Sequence, residues 1–268
     1  MQEHTGEIAD IPVFWRSAPT DGTPILWLHG VPTSSDLWLP FLERIGGVAP
    51  DLPGFGRSAK RGDWDYSIRG YRAYLDAFLD HLAIDRYRLV VHDWGAVGLA
   101  LAQAAPERVE RLVIFNSVPL LPGYRWHWVA RIWRRRGLGE LAMGATTRWG
   151  FHRALRDVRG TGAPFPPDLA QAAWEHFDQG TQRAILRLYR SADPEVLADA
   201  GRELSRITAP ALVVWGERDA YVYPKFANAY ASAFRNAEVR LVPDAGHWPW
   251  LDRPELVEAV GRFLSSGR

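Results

Sequence analysis

The feature that most constrains the fold of this chain is the alternation of short apolar runs with helical patterns. Six runs have the length and aliphatic character of buried strands: residues 25–28, 48–49, 87–91, 112–115, 211–215 and 239–242. Helical patterns occur around residues 68–83, 95–105, 224–235 and 254–265. Strands that alternate with helices predict a mostly parallel sheet covered on both faces. Residues 7–15 predict one antiparallel strand at an edge of this sheet.

The alternation stops between residues 119 and 205, where no run has the character of a strand. This stretch carries arginine and tryptophan at helical spacing in RWHWVARIWRRR, and a later helical pattern closes with LRLYRSA. A helical insertion between two strands of the sheet is the simplest explanation. We therefore expect an α/β core made of residues 1–118 and 206–268, with a helical cap over residues 119–205.

Composition excludes several classes of protein. The 268 residues carry 32 basic and 31 acidic side chains, so the net charge of +1 provides no field that would attract nucleic acid or an anionic membrane. The absence of cysteine excludes disulfides, thiolate zinc sites and cysteine nucleophiles. The eight histidines lack the spacing of a metal motif such as HExxH, so no metal is expected. No cofactor is expected either, because water would serve as the second substrate of a hydrolase.

The sequence also bears on where the protein works. No apolar stretch approaches the roughly 18–20 residues that span a bilayer. The amino-terminal segment MQEHTGEIADIPVFW lacks the basic and apolar regions of a signal peptide. A cytoplasmic location is therefore expected, and the sequence leaves the oligomeric state open.

The strongest chemical signal is Asp93, in the segment VVHDWGA at residues 90–96. Apolar residues precede it, and the small residues Gly95, Ala96 and Gly98 follow at the spacing of a sharp strand-to-helix turn. Such a turn holds its central residue in a strained conformation that projects the side chain into a pocket. Because a carboxylate is already ionised near neutral pH, Asp93 could attack carbon directly and form an ester.

Two further residues follow predicted strands and would complete a catalytic set. Asp219 lies in GERDAYV after the strand ALVVWG, and His247 lies in DAGHWPW after the strand VRLVP. Hydrolysis of the ester needs a neutral imidazole to activate water, and this is the role expected of His247. Asp219 would orient that imidazole and stabilise its cationic form.

The segment HGVPTSSDLW follows the strand ILWL and predicts an oxyanion hole. The backbone N–H groups of Val31 and Trp94 are expected to point at the second oxygen of the nucleophile, where charge develops during ester hydrolysis. The glycine-rich segment DLPGFGRS, at residues 51–58, is interpreted as a structural turn. It lacks the spacing and the lysine of a phosphate-binding loop.

These motifs carry a family resemblance that covers nearly the whole chain. HGVP, DLPGFGRS, HDWGA, GERD and GHW resemble the α/β-hydrolase superfamily, in which nucleophile, acid and histidine occur in this order. The aspartate in HDWG is similar to the branch that contains epoxide hydrolases and haloalkane dehalogenases. The resemblance implies an α/β-hydrolase fold, with a mostly parallel eight-stranded sheet, helices on both faces and a helical cap inserted between the sixth and seventh strands.

Haloalkane dehalogenases stabilise a departing halide with side-chain N–H groups. By resemblance, Trp94 would supply the first donor. HGVPTSS resembles the dehalogenase motif HGNPTSS, so Val31 stands where an asparagine would supply the second donor, and valine has none. A cap tryptophan such as Trp133 or Trp149 is the alternative donor.

Epoxide hydrolases instead donate a proton or a hydrogen bond to the ring oxygen, and by resemblance they use tyrosines of the cap. RLYRSAD, at residues 187–193, is similar to their Tyr–Arg motif and nominates Tyr189. No tyrosine occurs over residues 138–152, where the resemblance places a second one. His152, Tyr124 from further upstream, or a site with a single donor are the alternatives.

The sequence thus predicts hydrolysis of a small apolar electrophile through an ester on Asp93. Opening of an epoxide to a vicinal diol is favoured, and haloalkane dehalogenation by the same route is the alternative. A hypothesis of a different class is a ligand-binding relative that has lost turnover. The intact set of Asp93, Asp219 and His247 speaks against it.

Overall fold

The computed structural model describes residues 1–266, and its centre is a sheet. Within those residues the sheet has eight strands: β1 (Gln2–Ile8), β2 (Ile11–Ala18), β3 (Ile25–Leu28), β4 (Gly47–Pro50), β5 (Tyr87–His92), β6 (Val109–Phe115), β7 (Ala211–Gly216) and β8 (Ala237–Val242). Their order across the sheet is β1-β2-β4-β3-β5-β6-β7-β8. Only the pairs formed by β2 are antiparallel, so the predicted mostly parallel sheet is confirmed.

Helices connect and cover the strands. In chain order they are α1 (Leu39–Arg44), α2 (Ile68–His81), α3 (Val97–Ala104), α4 (Trp128–Trp133), α5 (Leu138–Gly144), α6 (Arg148–Asp157), α7 (Pro167–Glu175), α8 (Gln179–Ser191), α9 (Pro194–Ala200), α10 (Lys225–Ala233), α11 (Pro249–Asp252) and α12 (Leu256–Ser265). In the core, α2 packs against α3 and α1 packs against α12. Among residues 1–266, no helix is both long enough and apolar enough to cross a bilayer.

Burial explains why the central strands are continuous apolar runs. Every residue of β3, β5 and β7 is buried, as expected where helices cover both faces of a parallel sheet. The edge strand β8 is instead half-exposed or exposed over most of its length. The core therefore lies on both sides of the middle of the sheet, and the carboxyl ends of its strands form a rigid platform for the loops that follow them.

The amino-terminal edge corrects one prediction. The sequence predicts a single strand over residues 7–15, whereas the structure has a hairpin of β1 and β2 that turns at Ala9 and Asp10. Both turn residues have positive φ, 50° and 60°. This geometry suits a two-residue hairpin turn, which Asn-Gly or Asp-Gly usually signals. Ala9 gives no such signal, so the two strands look continuous in the sequence.

The chain between β6 and β7, all of it described, forms the six helices α4 to α9 and no strand. The indole N–H of Trp126 donates to the carbonyl of Ala192 at 2.9 Å, which joins the beginning and the end of this segment. The Thr181 hydroxyl of α8 donates to the carbonyl of Gly54 at 2.8 Å and ties the segment to the core. The boundaries of a cap unit at residues 119 and 205 remain a prediction.

Candidate active site

Asp93 lies at the sharp turn that follows β5, where a short 3-10 helix, Asp93–Ala96, precedes α3. Its φ of 49° is in the left-handed region, which is strained for a residue other than glycine. The neighbouring backbone approaches so closely that a Cβ atom on Gly95 would lie 2.2 Å from the carbonyl oxygen of Leu28. A Cβ atom on Gly30 would lie 2.3 Å from Cβ of Asp93. Glycine at these two positions is therefore what allows the turn to form.

The carboxylate of Asp93 is buried and faces backbone donors. The Val31 N–H donates to its Oδ1 at 2.8 Å. Burial raises the pKa of Asp93, while the charge of His247 and the N–H groups of Val31 and Trp94 favour the ionised form and limit the rise. Both backbone groups that the sequence predicts for an oxyanion hole thus face this carboxylate.

His247 and Asp219 lie on the same side of the site as Asp93. Nδ1 of His247 is 2.8 Å from Oδ2 of Asp219, and Nε2 of His247 is 3.7 Å from Oδ2 of Asp93. Burial alone would lower the pKa of His247, but the charges of Asp219 and Asp93 and the hydrogen bond to Asp219 outweigh it and raise the pKa. The structure therefore brings the three predicted residues together, with the imidazole between two carboxylates.

Asp219 is held by donors on both oxygens. The backbone N–H groups of Tyr221 and Val222 donate to Oδ1 at 2.8 and 3.0 Å. The Asn116 amide donates to Oδ2 at 2.6 Å, and its own oxygen accepts from the N–H of Gly216 at 3.1 Å. Burial on its own would raise the pKa of Asp219, yet the charge of His247 and these donors lower it, which keeps the carboxylate charged.

Asn116 is a site residue that the sequence analysis missed. It directly follows β6 and, like Asp93, has a positive φ, here 33°. The available signal was a polar residue at the carboxyl end of a buried strand, next in the sheet to the strand that precedes Asp93.

A second buried histidine lies behind His247 and was also missed. Nε2 of His92 donates to the backbone carbonyl of His247 at 2.9 Å, and the two rings are 4.7 Å apart. Burial, with the nearby charge of His247, holds the pKa of His92 well below its usual value. His92 is therefore a neutral support for the backbone of the catalytic candidate.

Aromatic residues of α4, α8 and their flanking loops cover the elbow. The ring of Tyr189 on α8 lies 5.2 Å from Trp94, 4.9 Å from Trp126 and 5.1 Å from Trp133. Burial raises the pKa of Tyr189 well above its usual value and the charge of Asp93 adds to this, so the hydroxyl stays protonated. The indole N–H of Trp94 lies near the Tyr189 hydroxyl and partly offsets this rise in the pKa of Tyr189. The two groups are not aligned well enough for a hydrogen bond, so Trp94 Nε1 is buried without a partner in the described part of the chain.

Tyr124 enters the same region from the loop before α4. Its hydroxyl is buried and has no hydrogen-bond partner within residues 1–266. Burial raises the pKa of Tyr124 well above its usual value, and the charges of Asp93 and Asp219 contribute to this rise. Of the two residues predicted as alternative second donors, Tyr124 is thus the one that the charge of Asp93 reaches.

His127, at the start of α4, is a further site residue that the sequence analysis missed. Its ring lies 4.8 Å from that of Tyr221, which in turn meets the ring of His247 edge-on at 5.5 Å. Its Nδ1 accepts the N–H of Ala130 at 3.3 Å, which leaves the proton on Nε2. Burial and the charge of His247 lower the pKa of His127 to about 4, so it is neutral at physiological pH.

His152 and Trp149, both on α6, lie elsewhere. His152 lines a groove of about 600 Å³ between α6 and α7, and the residues of that groove include none of Asp93, Asp219 and His247. Trp149 is 75% exposed, so it is not placed to meet a leaving group at Asp93. The described residues also contain no cluster of three or more His, Asp or Glu side chains that could hold a metal.

Sequence comparison agrees with the fold. A profile of the α/β hydrolase fold family matches residues 23–254. The chain therefore belongs to the α/β-hydrolase fold family, as the motifs predict. Its relatives place it among the hydrolases of the haloalkane dehalogenase and epoxide hydrolase branch.

Three proteins show what this chain is similar to. The chain is 34% identical over 220 residues to a haloalkane dehalogenase of Mycolicibacterium paratuberculosis, a match that covers 75% of this chain and 69% of the relative. It is 29% identical to a cis-3-alkyl-4-alkyloxetan-2-one decarboxylase of Xanthomonas campestris pv. campestris, over 92% of this chain and 89% of the relative. The structure of the epoxide hydrolase CorEH superimposes with a TM-score of 0.83 at 22% identity, covering 98% of this chain and 97% of the other, which shows the shared fold.

Proposed function

We propose that this protein hydrolyses neutral, apolar electrophiles through a covalent ester on Asp93, and that an epoxide is the favoured substrate. The ester is supported by the geometry of the three central residues. Asp93 is 3.7 Å from the His247 imidazole, which is too far for a strong hydrogen bond. The imidazole is 2.8 Å from Asp219, which is close enough to fix its orientation.

In the first step, an oxygen of Asp93 attacks a ring carbon of the epoxide. The carbon–oxygen bond of the ring breaks, and the ring oxygen takes a proton from a tyrosine hydroxyl. Splitting one difficult displacement into ester formation and ester hydrolysis lowers the barrier of each part.

In the second step, His247 takes a proton from water, and the hydroxide attacks the carboxyl carbon of the ester. The N–H groups of Val31 and Trp94 would stabilise the charged oxygen of the tetrahedral intermediate. The diol leaves with the proton from His247, and the proton on the reformed carboxyl of Asp93 restores the tyrosine. The sum is one epoxide and one water consumed for each vicinal diol.

The choice of an epoxide depends on one observation, the presence of two protonated tyrosines within reach of the charge of Asp93. The pKa values of Tyr189 and Tyr124 are both raised, first by burial and then by that charge. A hydroxyl whose pKa is raised keeps its proton until a stronger base forms beside it, and the opening ring oxygen is such a base. The Tyr124 hydroxyl is also buried without a partner in the described chain, as expected of a donor that waits for substrate.

Haloalkane dehalogenation is the second candidate, because a specific observation favours it. The indole N–H of Trp94 is buried and has no partner among residues 1–266, so it is free to stabilise a halide. Several relatives are haloalkane dehalogenases. Against this, the side chain of Val31 supplies no donor.

We also propose that α4 to α9, within residues 119–205, act as the cap of this site, since α8 supplies Tyr189 and the loop before α4 supplies Tyr124. The cytoplasmic location stays a prediction. The proposed steps need no cofactor, because water is the second substrate.

The first test compares products from three substrates. The wild-type protein is incubated separately with styrene oxide, 1-bromobutane and a cis-3,4-dialkyl oxetan-2-one, and diol, bromide and carbon dioxide are measured. We expect diol as the main product. Bromide without diol would overturn the epoxide in favour of the halide, and carbon dioxide without diol would favour the oxetanone.

The second test asks whether the tyrosines act as donors. We expect Tyr189→Phe to slow ester formation from styrene oxide by about 100-fold in single-turnover experiments, with a smaller loss for Tyr124→Phe. Tyr223→Phe is the matched control, because Tyr223 is 56% exposed. Unchanged ester formation in both buried variants would remove the tyrosines from the mechanism.

A further inference from the structure

A buried ion pair joins the turn that carries His247 to the loop after α6, and the proposed chemistry does not use it. Arg159 donates from Nε to Oδ1 of Asp252, the last residue of α11, at 3.0 Å. The two side chains are only 8% and 0% exposed. Charges buried to this degree are maintained only where further hydrogen bonds satisfy them, so the surroundings of this pair are informative.

The carboxylate of Asp252 accepts hydrogen bonds from both loops. Its Oδ1 accepts from the Thr161 hydroxyl at 2.6 Å, in addition to Arg159. Its Oδ2 accepts from the backbone N–H of Gly160 at 3.1 Å and from that of Gly246 at 2.9 Å. Burial alone would raise the pKa of Asp252, yet these donors and Arg159 lower it, so the carboxylate stays charged.

The backbones of the two loops are in direct contact beside this carboxylate. The N–H of His247 itself donates to the carbonyl of Val158 at 3.0 Å. A Cβ atom on Gly246 would lie 2.1 Å from the same carbonyl oxygen, and one on Gly160 would lie 2.3 Å from the carbonyl carbon of Ala245. This spacing leaves no room for a side chain at Gly160 or Gly246, so the two backbones pack directly on each other.

We propose that Asp252 and Arg159 are positioning residues, which hold the backbone of His247 against residues 158–161 and thereby keep its imidazole on Asp219. The inference rests on the proposed role of His247 in ester hydrolysis. Since Asp93 is held by β5 and by the N–H of Val31, ester formation does not depend on this clamp, whereas ester hydrolysis does.

The test variant is Asp252→Asn. Both oxygens of the native carboxylate receive N–H or O–H donors, so an amide must turn its own N–H₂ toward one set of them and lose those bonds. We expect the turn to loosen and the downfield Nδ1–H proton signal of His247 to weaken in NMR spectra. We also expect ester hydrolysis to slow by about 10- to 100-fold, the range for a small misplacement of a catalytic group, while the rate of ester formation is unchanged.

The pKa of His247, measured by NMR titration, distinguishes positioning of the imidazole from a general effect on stability. The ionisable groups that face the imidazole are Asp219, Asp93, His92, His127 and Tyr221, and the variants leave all of them in place. If the contact with Asp219 lengthens, the pKa of His247 falls relative to the wild-type protein.

Glu258→Gln is the matched control, because it removes a charge from an exposed pair on α12, with Arg262, at exposures of 71% and 74%. It should change neither the NMR signal nor either rate. If Asp252→Asn does not fold, Arg159→Lys keeps the charge but gives up the fork of donors that also reaches the carbonyls of Pro164 and Leu251.

The outcomes separate this inference from the proposed function. A folded Asp252→Asn variant with an unchanged His247 signal and an unchanged hydrolysis rate overturns the inference, even if Asp93 forms the ester. If the wild-type protein forms no ester, the proposed function fails, and the NMR signal of His247 still decides whether Asp252 positions it.

Discussion

Asp93 combines a strained backbone with a buried charge. The left-handed conformation, at φ 49°, costs a residue other than glycine about 1–2 kcal/mol. The N–H of Val31 and the close approach of Gly30 hold the side chain in place despite this strain. Strain of this kind persists where the surrounding structure determines a single geometry, which is what a nucleophile that attacks along one direction requires.

Gly30→Ala tests how tightly the elbow is built. The new Cβ atom would lie 2.3 Å from Cβ of Asp93, so either the oxyanion loop or the nucleophile must move. We expect a loss of stability of about 1–3 kcal/mol, the usual cost of overpacking, together with loss of ester formation. Thermal melting and single-turnover assays would measure the two effects.

Gly144→Ala is the control for this substitution. Gly144 ends α5, and a Cβ atom there would meet nothing within 4 Å. Activity should stay at the wild-type value, and the melting temperature should stay the same or rise slightly, because alanine is the better helix former. An active, normally stable Gly30→Ala protein would show that the loop has room that the structure does not predict.

At the scale of single elements, the amino-terminal hairpin offers a simple test of turn chemistry. Ala9 and Asp10 both have positive φ, and Ala9 is poorly suited to it. Ala9→Asn should stabilise the protein by about 0.5–1 kcal/mol, since asparagine tolerates this conformation better. Ala9→Val should destabilise it. Equal melting temperatures for the two variants would contradict the hairpin geometry.

Most of the sheet could be predicted from the sequence because its strands carry their own signal. The runs at residues 25–28, 87–91 and 211–215 are apolar throughout, since helices bury both faces. Asp93, Asp219 and His247 directly follow such strands or a recognisable turn, so their motifs could be interpreted locally.

The missed features depend on contacts between distant segments. Asn116 matters because it meets Asp219, which is 103 residues away, and His92 matters because it meets the carbonyl of His247, 155 residues away. His127 carries no signal in the sequence, and its position near Tyr221 follows from packing alone. For the same reason the sequence left His152 and Tyr124 as equal alternatives.

On the scale of the whole molecule, the site forms where the carboxyl ends of neighbouring strands meet. Asp93 follows β5, Asp219 follows β7 and His247 follows β8, and these strands lie on one half of the sheet. Ligands of open α/β sheets bind at this end of the strands. The helices between β6 and β7 then add the aromatic side chains, so the two parts of the chain contribute different chemistry to one site.

The buried charge of Asp93 predicts that the site lowers the stability of the whole protein. Because the pKa of Asp93 is raised in the folded state, folding is favoured below the pKa of the unfolded chain, and this contribution is lost as pH rises through the folded pKa. Asp93→Asn should therefore melt at a higher temperature than the wild-type protein at neutral pH, by about 2–4 °C for each kcal/mol of penalty removed.

A pH series of melting temperatures checks the sign. The advantage of Asp93→Asn should shrink as the pH falls toward the range where Asp93 is protonated in the folded protein. An advantage that is absent at neutral pH, or that grows in acid, would contradict a buried and charged nucleophile.

The central claim is that Asp93 forms an ester that His247 is needed to hydrolyse. The most direct measurement is the mass of a His247→Gln variant after incubation with styrene oxide or with 1-bromobutane, followed by peptide mapping. Removing the general base should leave ester formation intact and block its hydrolysis, so the ester accumulates. The double variant with Asp93→Asn serves as the control and should gain no mass.

We expect a mass increase on the peptide that contains Asp93, equal to the whole epoxide, because ring opening loses no atoms. An increase equal to a butyl group in place of one hydrogen would keep the aspartyl ester and move the substrate to haloalkanes. A folded His247→Gln protein that gains no mass on Asp93 from either reagent would contradict the account.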